Sequence, residues 1–148
     1  GVEAKKKGFS QVLWLDAHEH RFIEEVGTMN VLFRVGDEII TPPLGGTILS
    51  GATRDSSLVL LREWGLKVTE RAISLDEIQQ FHASGKLMEV FGTGTAAVIA
   101  PVAELSNESI HLTINNGRVG EITQRLYNEL TALQYGEKTD THHWMLEL

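Results

Sequence analysis

The chain contains three short segments, Glu25-Val26-Gly27-Thr28-Met29-Asn30, Leu49-Ser50-Gly51-Ala52-Thr53-Arg54 and Phe91-Gly92-Thr93-Gly94-Thr95-Ala96. Each segment puts polar or glycine-rich backbone beside strongly apolar flanks, where a fold that needed only a core would have little use for it. Loops held between core elements are where binding residues concentrate. The three segments therefore mark the candidate site, and the fold must bring them together.

The sequence around these segments predicts alternating strands and helices. After a short apolar run at 11–15, strands are predicted at 21–23, 28–35, 38–41, 67–71, 87–91, 96–101 and 110–112. Three helices are predicted. The first covers residues 53–64, and the second begins at the capping box formed by Ser74 and Glu77. The third covers residues 118–134, where the apolar stripe comprises Val119, Ile122, Leu126, Leu130 and Leu133. Gly65 and Gly85 are predicted to end the first two helices. The pattern indicates an α/β or mixed α+β fold in one domain, residues 1–148, with loops carrying the site.

Composition narrows the classes of function. The chain has 148 residues, of which 42% are hydrophobic and 22% charged, as in ordinary globular domains. Its net charge of −7 argues against nucleic acid as the main partner, and no apolar run reaches the roughly 20 residues that span a bilayer. With no cysteine, the chain has neither disulfides nor thiolate chemistry, which agrees with a cytoplasmic protein. The histidine pairs His18/His20 and His142/His143 lack a nearby third ligand, so no metal site is predicted.

Each segment contains groups that could bind a ligand, but each also has a purely structural explanation. Glu25 follows Glu24 and lies at the mouth of a predicted strand, although two neighbouring glutamates are often only solvated. Gly51, Ala52 and Thr53 open a predicted helix whose unpaired amides could bind a phosphate, or they form an ordinary helix start. The glycine-rich third segment is either an anion-binding turn or a simple hairpin turn.

Together the segments resemble the C-terminal part of branched-chain amino acid aminotransferases, enzymes that use pyridoxal 5′-phosphate on the type IV fold. The resemblance extends from Gln11-Val12-Leu13-Trp14-Leu15 to Leu133-Gln134-Tyr135-Gly136. It implies the larger C-terminal, cofactor-binding domain of that fold, a mixed sheet or pseudo-barrel with flanking helices. It also implies the site residues. Glu25 would pair with the pyridine nitrogen, Leu49 would pack against the ring, Ala52 and Thr53 would hold the phosphate, and the amides of Thr95 and Ala96 would hold the substrate carboxylate.

The resemblance further implies that the lysine forming the Schiff base lies upstream of Gly1. The chain would then contain no catalytic residue and would be inactive by itself. In the full-length enzyme, a homodimer, leucine, isoleucine or valine would react with 2-oxoglutarate to give a branched 2-oxo acid and glutamate.

Two relatives with the same fold, D-amino acid aminotransferases and aminodeoxychorismate lyases, are alternatives. They tend to place a serine-rich stretch after the site glutamate, so Val26-Gly27-Thr28-Met29-Asn30 favours the branched-chain type. A catalytically inert fragment or interaction domain is the alternative from another class.

Overall fold

The computed structural model describes residues 13–15, 21–26, 29–44, 51–94, 98–106 and 110–134. Within these ranges the strands are β1 Leu13–Leu15, β2 Ile23–Val26, β3 Met29–Val35, β4 Glu38–Thr41, β5 Lys67–Glu70, β6 Leu87–Gly94, β7 Val98–Pro101, β8 Glu104–Ser106 and β9 His111–Thr113. The helices are α1 Ala52–Glu63, α2 Leu75–Ala83 and α3 Glu121–Gln134, and Asn115–Gly117 forms a 3₁₀ turn before α3. The predicted mixture of strands and helices, and with it the α/β fold class, is confirmed.

Strands β1 to β7 form one mixed sheet built around β3. One edge of β3 pairs antiparallel with β2 at its beginning and with β4 at its end. The other edge pairs antiparallel with β6, which in turn pairs with β7. Strand β5 runs parallel to β4, and α1 is the crossover that such a parallel pair requires. Helix α1 therefore begins on the side of the sheet where β4 ends.

Both faces of the sheet are covered. Helices α1 and α3 pack on one face, where the buried side chains include Leu32, Phe91, Ile99, Leu58, Leu61, Ile122 and Leu126. Helix α2 and the small β8–β9 ladder pack on the other face, with Val31, Phe33, Val90, Ile78, Leu105 and Leu112. Because the middle of β3 is buried on both faces, Val31, Leu32 and Phe33 form a short continuous apolar run rather than an alternating pattern.

The predicted helix ends follow local rules. Gly65 and Gly85 follow α1 and α2 with φ of +87° and +77°. This left-handed conformation is strained for residues that carry a side chain, so glycine is favoured at both positions. At the start of α2 the Ser74 hydroxyl accepts a bond from the Glu77 amide at 3.1 Å, as the capping box predicts. The Glu77 carboxylate accepts a bond from Arg71 at 2.9 Å, so its main charged partner is an arginine.

Three of the observed strands differ clearly from the predicted ones. Strand β6 extends through the glycines to Gly94, because residues 91–94 pair with both β3 and β7. Strand β2 covers Ile23–Val26, later than the predicted 21–23. Strand β8 was not predicted at all, since a three-residue strand with one buried side chain, Leu105, gives almost no sequence pattern. No helix in the described ranges is long and apolar enough to cross a membrane.

Helix α3 begins at Glu121 rather than 118, and a distant side chain sets its start. The Glu89 carboxylate of β6, only 3% exposed, accepts bonds from the Ile122 amide (3.2 Å) and from the Thr123 amide and hydroxyl (both 2.7 Å). A Cβ on Gly120 would lie 2.0 Å from Glu89 Oε1, so only glycine fits there. The prediction that Val119 belongs to the apolar stripe is wrong: it precedes the helix and is 48% exposed.

Candidate functional site

The first and third segments meet in one row across the sheet. Glu25 of β2 pairs with Asn30 of β3, Asn30 pairs with Thr93 of β6, and Thr93 pairs with Ile99 of β7. Directly paired residues project from the same face, and neighbouring strands lie about 4.8 Å apart. Since Ile99 is buried under α1 and α3, the polar groups of this row lie on the face that these helices cover.

A bulge in β2 distinguishes the two neighbouring glutamates. Trp14 pairs with Glu25 and the next residue, Leu15, pairs with Ile23, so that Glu24 is the extra residue. The extra residue lets Ile23 and Val26 both pack into the core of the α2 face. Glu25 is therefore the glutamate in register with Asn30, and it lies within β2, not at the mouth of a strand as the sequence suggested.

The second segment starts α1 directly against this row. A Cβ on Gly51 would come 2.7 Å from Asn30 Oδ1, so the absence of a side chain at Gly51 lets the helix start approach the sheet. Gly51 provides no side-chain cap, and the first backbone bond of the helix runs from Asp55 N to Gly51 O. Among the described residues the amides of Ala52 and Thr53 have no acceptor, which leaves the positive end of the helix dipole available to an anion.

Arg54, which the sequence analysis left without a role, fixes the position of this helix start. Its side chain is 1% exposed, and Nη2 donates to the Pro42 carbonyl at 3.2 Å and to Glu70 at 2.7 Å. Pro42 follows β4 and Glu70 ends β5, so one guanidinium joins α1 to the ends of both parallel strands. The guanidinium is always charged and carries several N–H donors, so it can bind both strand ends, which a lysine ammonium would do less well.

The glycines of the third segment serve packing within a strand. A Cβ on Gly92 would lie 3.0 Å from Val26 Cγ1, and one on Gly94 would lie 2.8 Å from Met29 Cγ. Residues 92–94 thus continue the strand predicted at 87–91, and the prediction that the glycine-rich part of the segment forms a turn is wrong for them. The glycines allow Val26 and Met29 to lie over β6 on the face opposite the polar row.

Thr93, like Asn30, lies in this row although the sequence predicted no role for it. It is 2% exposed, and within the described part of the chain Oγ1 has no hydrogen-bond partner. Alternation along β6 could have found it, because Phe91 and Thr93 share a face once 91–94 is recognised as strand.

Three of the six predicted site residues lie in described ranges. Glu25 is in the polar row, and Ala52 and Thr53 form the first turn of α1, with Ala52 exposed and Thr53 half-buried. Leu49, Thr95 and Ala96 lie outside the described residues. The roles that the resemblance implies for all six stay predictions.

Lysines and potential metal ligands lie elsewhere in the described ranges. Lys67 and Lys86 are exposed and lie at the other end of the strands, since Lys67 pairs with Glu38 and the Lys86 carbonyl bonds to Gly36. Six residues of β6 separate Lys86 from Thr93, which places their Cα atoms about 23 Å apart along the strand. The same ranges contain no group of three or more histidine, aspartate or glutamate side chains arranged to hold a metal ion.

Comparisons with known protein sequences match this chain to aminotransferases. The sequence profile of the family described as Amino-transferase class IV matches residues 2–105. The branched-chain-amino-acid aminotransferase 2 of Bacillus subtilis (strain 168) is 53% identical over 145 residues, which is 98% of this chain and 40% of that protein. The branched-chain-amino-acid aminotransferase of Mycobacterium tuberculosis is 46% identical, over 99% of this chain and 41% of that protein. The chain thus spans about 40% of the length of these relatives.

Solved structures agree with the sequence relatives. The branched-chain amino acid aminotransferase from Escherichia coli superposes with a TM-score of 0.80 at 30% identity, covering 99% of this chain and 46% of that one. An aminotransferase from Brucella abortus bound to the cofactor PLP superposes with a TM-score of 0.71 at 28% identity, covering 90% of this chain and 42% of that one.

Proposed function

Since the chain belongs to the class IV aminotransferase family, we propose that it supplies the C-terminal, cofactor-binding domain of a branched-chain amino acid aminotransferase. The full-length protein would transfer the amino group of leucine, isoleucine or valine to 2-oxoglutarate. The lysine that binds the cofactor would lie upstream of Gly1, and residues 1–148 would form a single domain.

One observation carries this proposal: a carboxylate and an anion-binding helix start share one face of one sheet. Glu25 and Asn30 are paired, and Asn30 Oδ1 packs against Gly51 at the start of α1. A cofactor with a protonated ring nitrogen at one end and a phosphate at the other needs these two groups on the same side of the protein.

The described residues fit pyridoxal 5′-phosphate. Within the described ranges the amides of Ala52 and Thr53 have no acceptor, and the buried Thr93 hydroxyl has no protein partner. When bound, this cofactor supplies an electron-withdrawing ring that carries the amino group between the two substrates. The Brucella abortus neighbour, which covers 90% of this chain in superposition, binds it.

Each residue of the chain then has one task. Glu25 would hold the proton on the ring nitrogen, because a neighbouring carboxylate favours the charged form of the ring. The Ala52 and Thr53 amides and the Thr53 hydroxyl would hold the phosphate. By the family resemblance, Leu49 would pack against the ring, and the Thr95 and Ala96 amides would orient the substrate carboxylate.

The test is Glu25→Gln in the full-length protein, with Glu24→Gln as the matched control. The variant preserves size and removes the charge, so kcat with leucine and 2-oxoglutarate should fall roughly 10²-fold or more, whereas the bulge residue Glu24 should tolerate the change. An unchanged kcat for Glu25→Gln beside a crippled Glu24→Gln would show that the wrong glutamate has been assigned.

Substrate tests separate the remaining functions. Turnover of D-alanine or aminodeoxychorismate in preference to leucine, isoleucine and valine would replace the proposal by one of the two related activities. A full-length protein without any transaminase activity would favour an inert or interaction domain.

Location and assembly belong to the same proposal. We propose a cytoplasmic homodimer, supported by the family resemblance and, for location, by the absence of cysteine from the sequence. Cell fractionation and light scattering of the full-length protein test the two statements separately.

A further inference from the structure

We propose that the hydroxyl of Thr93 is an additional donor to the cofactor phosphate, at the bottom of the site that the first turn of α1 forms. This inference rests on the proposed function, since it names a residue for the same phosphate. Thr93 has no role in the motif resemblance, which assigns the phosphate to Ala52 and Thr53.

The first argument is the state of the hydroxyl. Thr93 is 2% exposed, and Oγ1 is buried without a hydrogen-bond partner among the described residues. An unsatisfied buried hydroxyl is destabilising, so native structures rarely retain one without a ligand, ion or water to bind it. A strand position that needed only packing would be served as well by valine, which has the same shape.

The second argument is where the side chain lies. Thr93 pairs directly with Asn30, and Asn30 Oδ1 packs against Gly51 at the start of α1. Paired residues have Cβ atoms about 5 Å apart on the same face, so the Thr93 side chain lies on the α1 face beside the group that touches the helix start. Gly92 and Gly94, its neighbours in β6, face Met29 on the opposite side.

The third argument is the chemistry of the ligand. The helix start offers amides that have no acceptor in the described ranges, together with a positive dipole end, and both favour an anion. A phosphate dianion has three terminal oxygens and can accept more bonds than the Ala52 and Thr53 amides provide. A neutral hydroxyl that donates to a charged oxygen forms a short, strong hydrogen bond.

The test compares two probes that differ only in the phosphate, pyridoxal 5′-phosphate and pyridoxal, on the full-length apoprotein. Thr93→Val removes the hydroxyl and keeps the shape, Thr93→Ser keeps the hydroxyl, and Thr113→Val removes an exposed hydroxyl in β9. Thr93→Val should bind pyridoxal 5′-phosphate roughly 10- to 100-fold more weakly, with affinity for pyridoxal within about twofold of wild type. Thr93→Ser and Thr113→Val should bind both probes nearly as wild type does.

The melting temperature of the apoprotein gives a second readout, because a purely structural hydroxyl and a ligand-binding hydroxyl predict opposite changes when it is removed. Because the buried hydroxyl has no partner among the described residues to lose, Thr93→Val should melt at the same temperature as wild type or higher. A lower melting temperature, or an equal loss of affinity for both probes, would overturn the inference in favour of a structural hydroxyl. A raised KM for amino acid with unchanged cofactor affinity would assign the hydroxyl to the substrate carboxylate instead.

Failure of the proposed function looks different. Wild-type protein that binds pyridoxal as tightly as pyridoxal 5′-phosphate would have no phosphate site at all, and that result would overturn both proposals. Wild type that prefers the phosphorylated form, with Thr93→Val keeping the same preference, would overturn only the role of Thr93.

Discussion

Replacing Glu89 by glutamine should detach the start of α3 from the sheet while leaving the size of the side chain unchanged. Each Glu89 oxygen accepts two bonds: Oε1 from the Thr123 amide and hydroxyl, Oε2 from the Ile122 amide and Arg34 Nη1 at 2.8 Å. In glutamine one of these acceptors becomes an NH₂ group that faces two donors.

The expected loss follows from this arrangement. Whichever oxygen is replaced, at least one backbone amide loses its charged acceptor, and such a hydrogen bond is worth about 1.5–3 kcal/mol. Arg34, only 12% exposed at its side chain, also loses its anionic partner. Since removing one member of a buried pair commonly costs about 3–5 kcal/mol, we expect the free energy of unfolding to fall by about that amount.

Urea unfolding followed by circular dichroism measures the change in the full-length protein. Glu121→Gln is the matched control, because Glu121 is an exposed carboxylate in the first turn of the same helix and its favourable effect on the dipole is below about 1 kcal/mol. If Glu89→Gln loses no more stability than Glu121→Gln, the buried carboxylate does not hold the helix start and the reasoning is refuted.

Three further changes test neighbouring features. Gly120→Ala should destabilise the protein by at least about 2 kcal/mol, because its Cβ would occupy the place of Glu89 Oε1; a stability equal to wild type would contradict the tight contact. Arg54→Met should cost about 1–2 kcal/mol in unfolding free energy, whereas Arg62→Met, which removes the exposed arginine 3.7 Å from Glu70, should stay within about 0.5 kcal/mol. Thr95→Pro deletes the amide assigned to the substrate carboxylate and should raise KM for both substrates more than Thr95→Ala does, with cofactor absorbance retained; loss of the cofactor at unchanged KM would reverse the two loop assignments.

The features that the sequence predicted well are determined by a few adjacent residues. Gly65 and Gly85 end helices because the positive φ there is cheap only for glycine. Ser74 caps α2 because its hydroxyl reaches an amide three residues on. Such features depend on local geometry, so they can be read from a short stretch of sequence.

The features that escaped prediction depend on pairing between distant segments. Thr93 is a candidate for the site only because β6 continues through two glycines, and the contacts that permit this come from Val26 and Met29. Glu89 looked like an ordinary charged residue in a strand, and the helix it caps begins more than thirty residues later. The distinction between Glu24 and Glu25 required the register against β1, which no local pattern specifies.

The attachment of α3 through Glu89 also gives the protein a built-in pair of exchange reporters. The Thr123 amide donates to the Glu89 side chain of β6. The amide of the next residue, Gln124, donates to the Gly120 carbonyl in the first turn of the helix. Deuterium uptake at Thr123 therefore measures how often the strand and the helix separate, and uptake at Gln124 measures how often the helix unwinds. Two adjacent residues can thus distinguish separation of the helix from the sheet from unwinding of the helix itself.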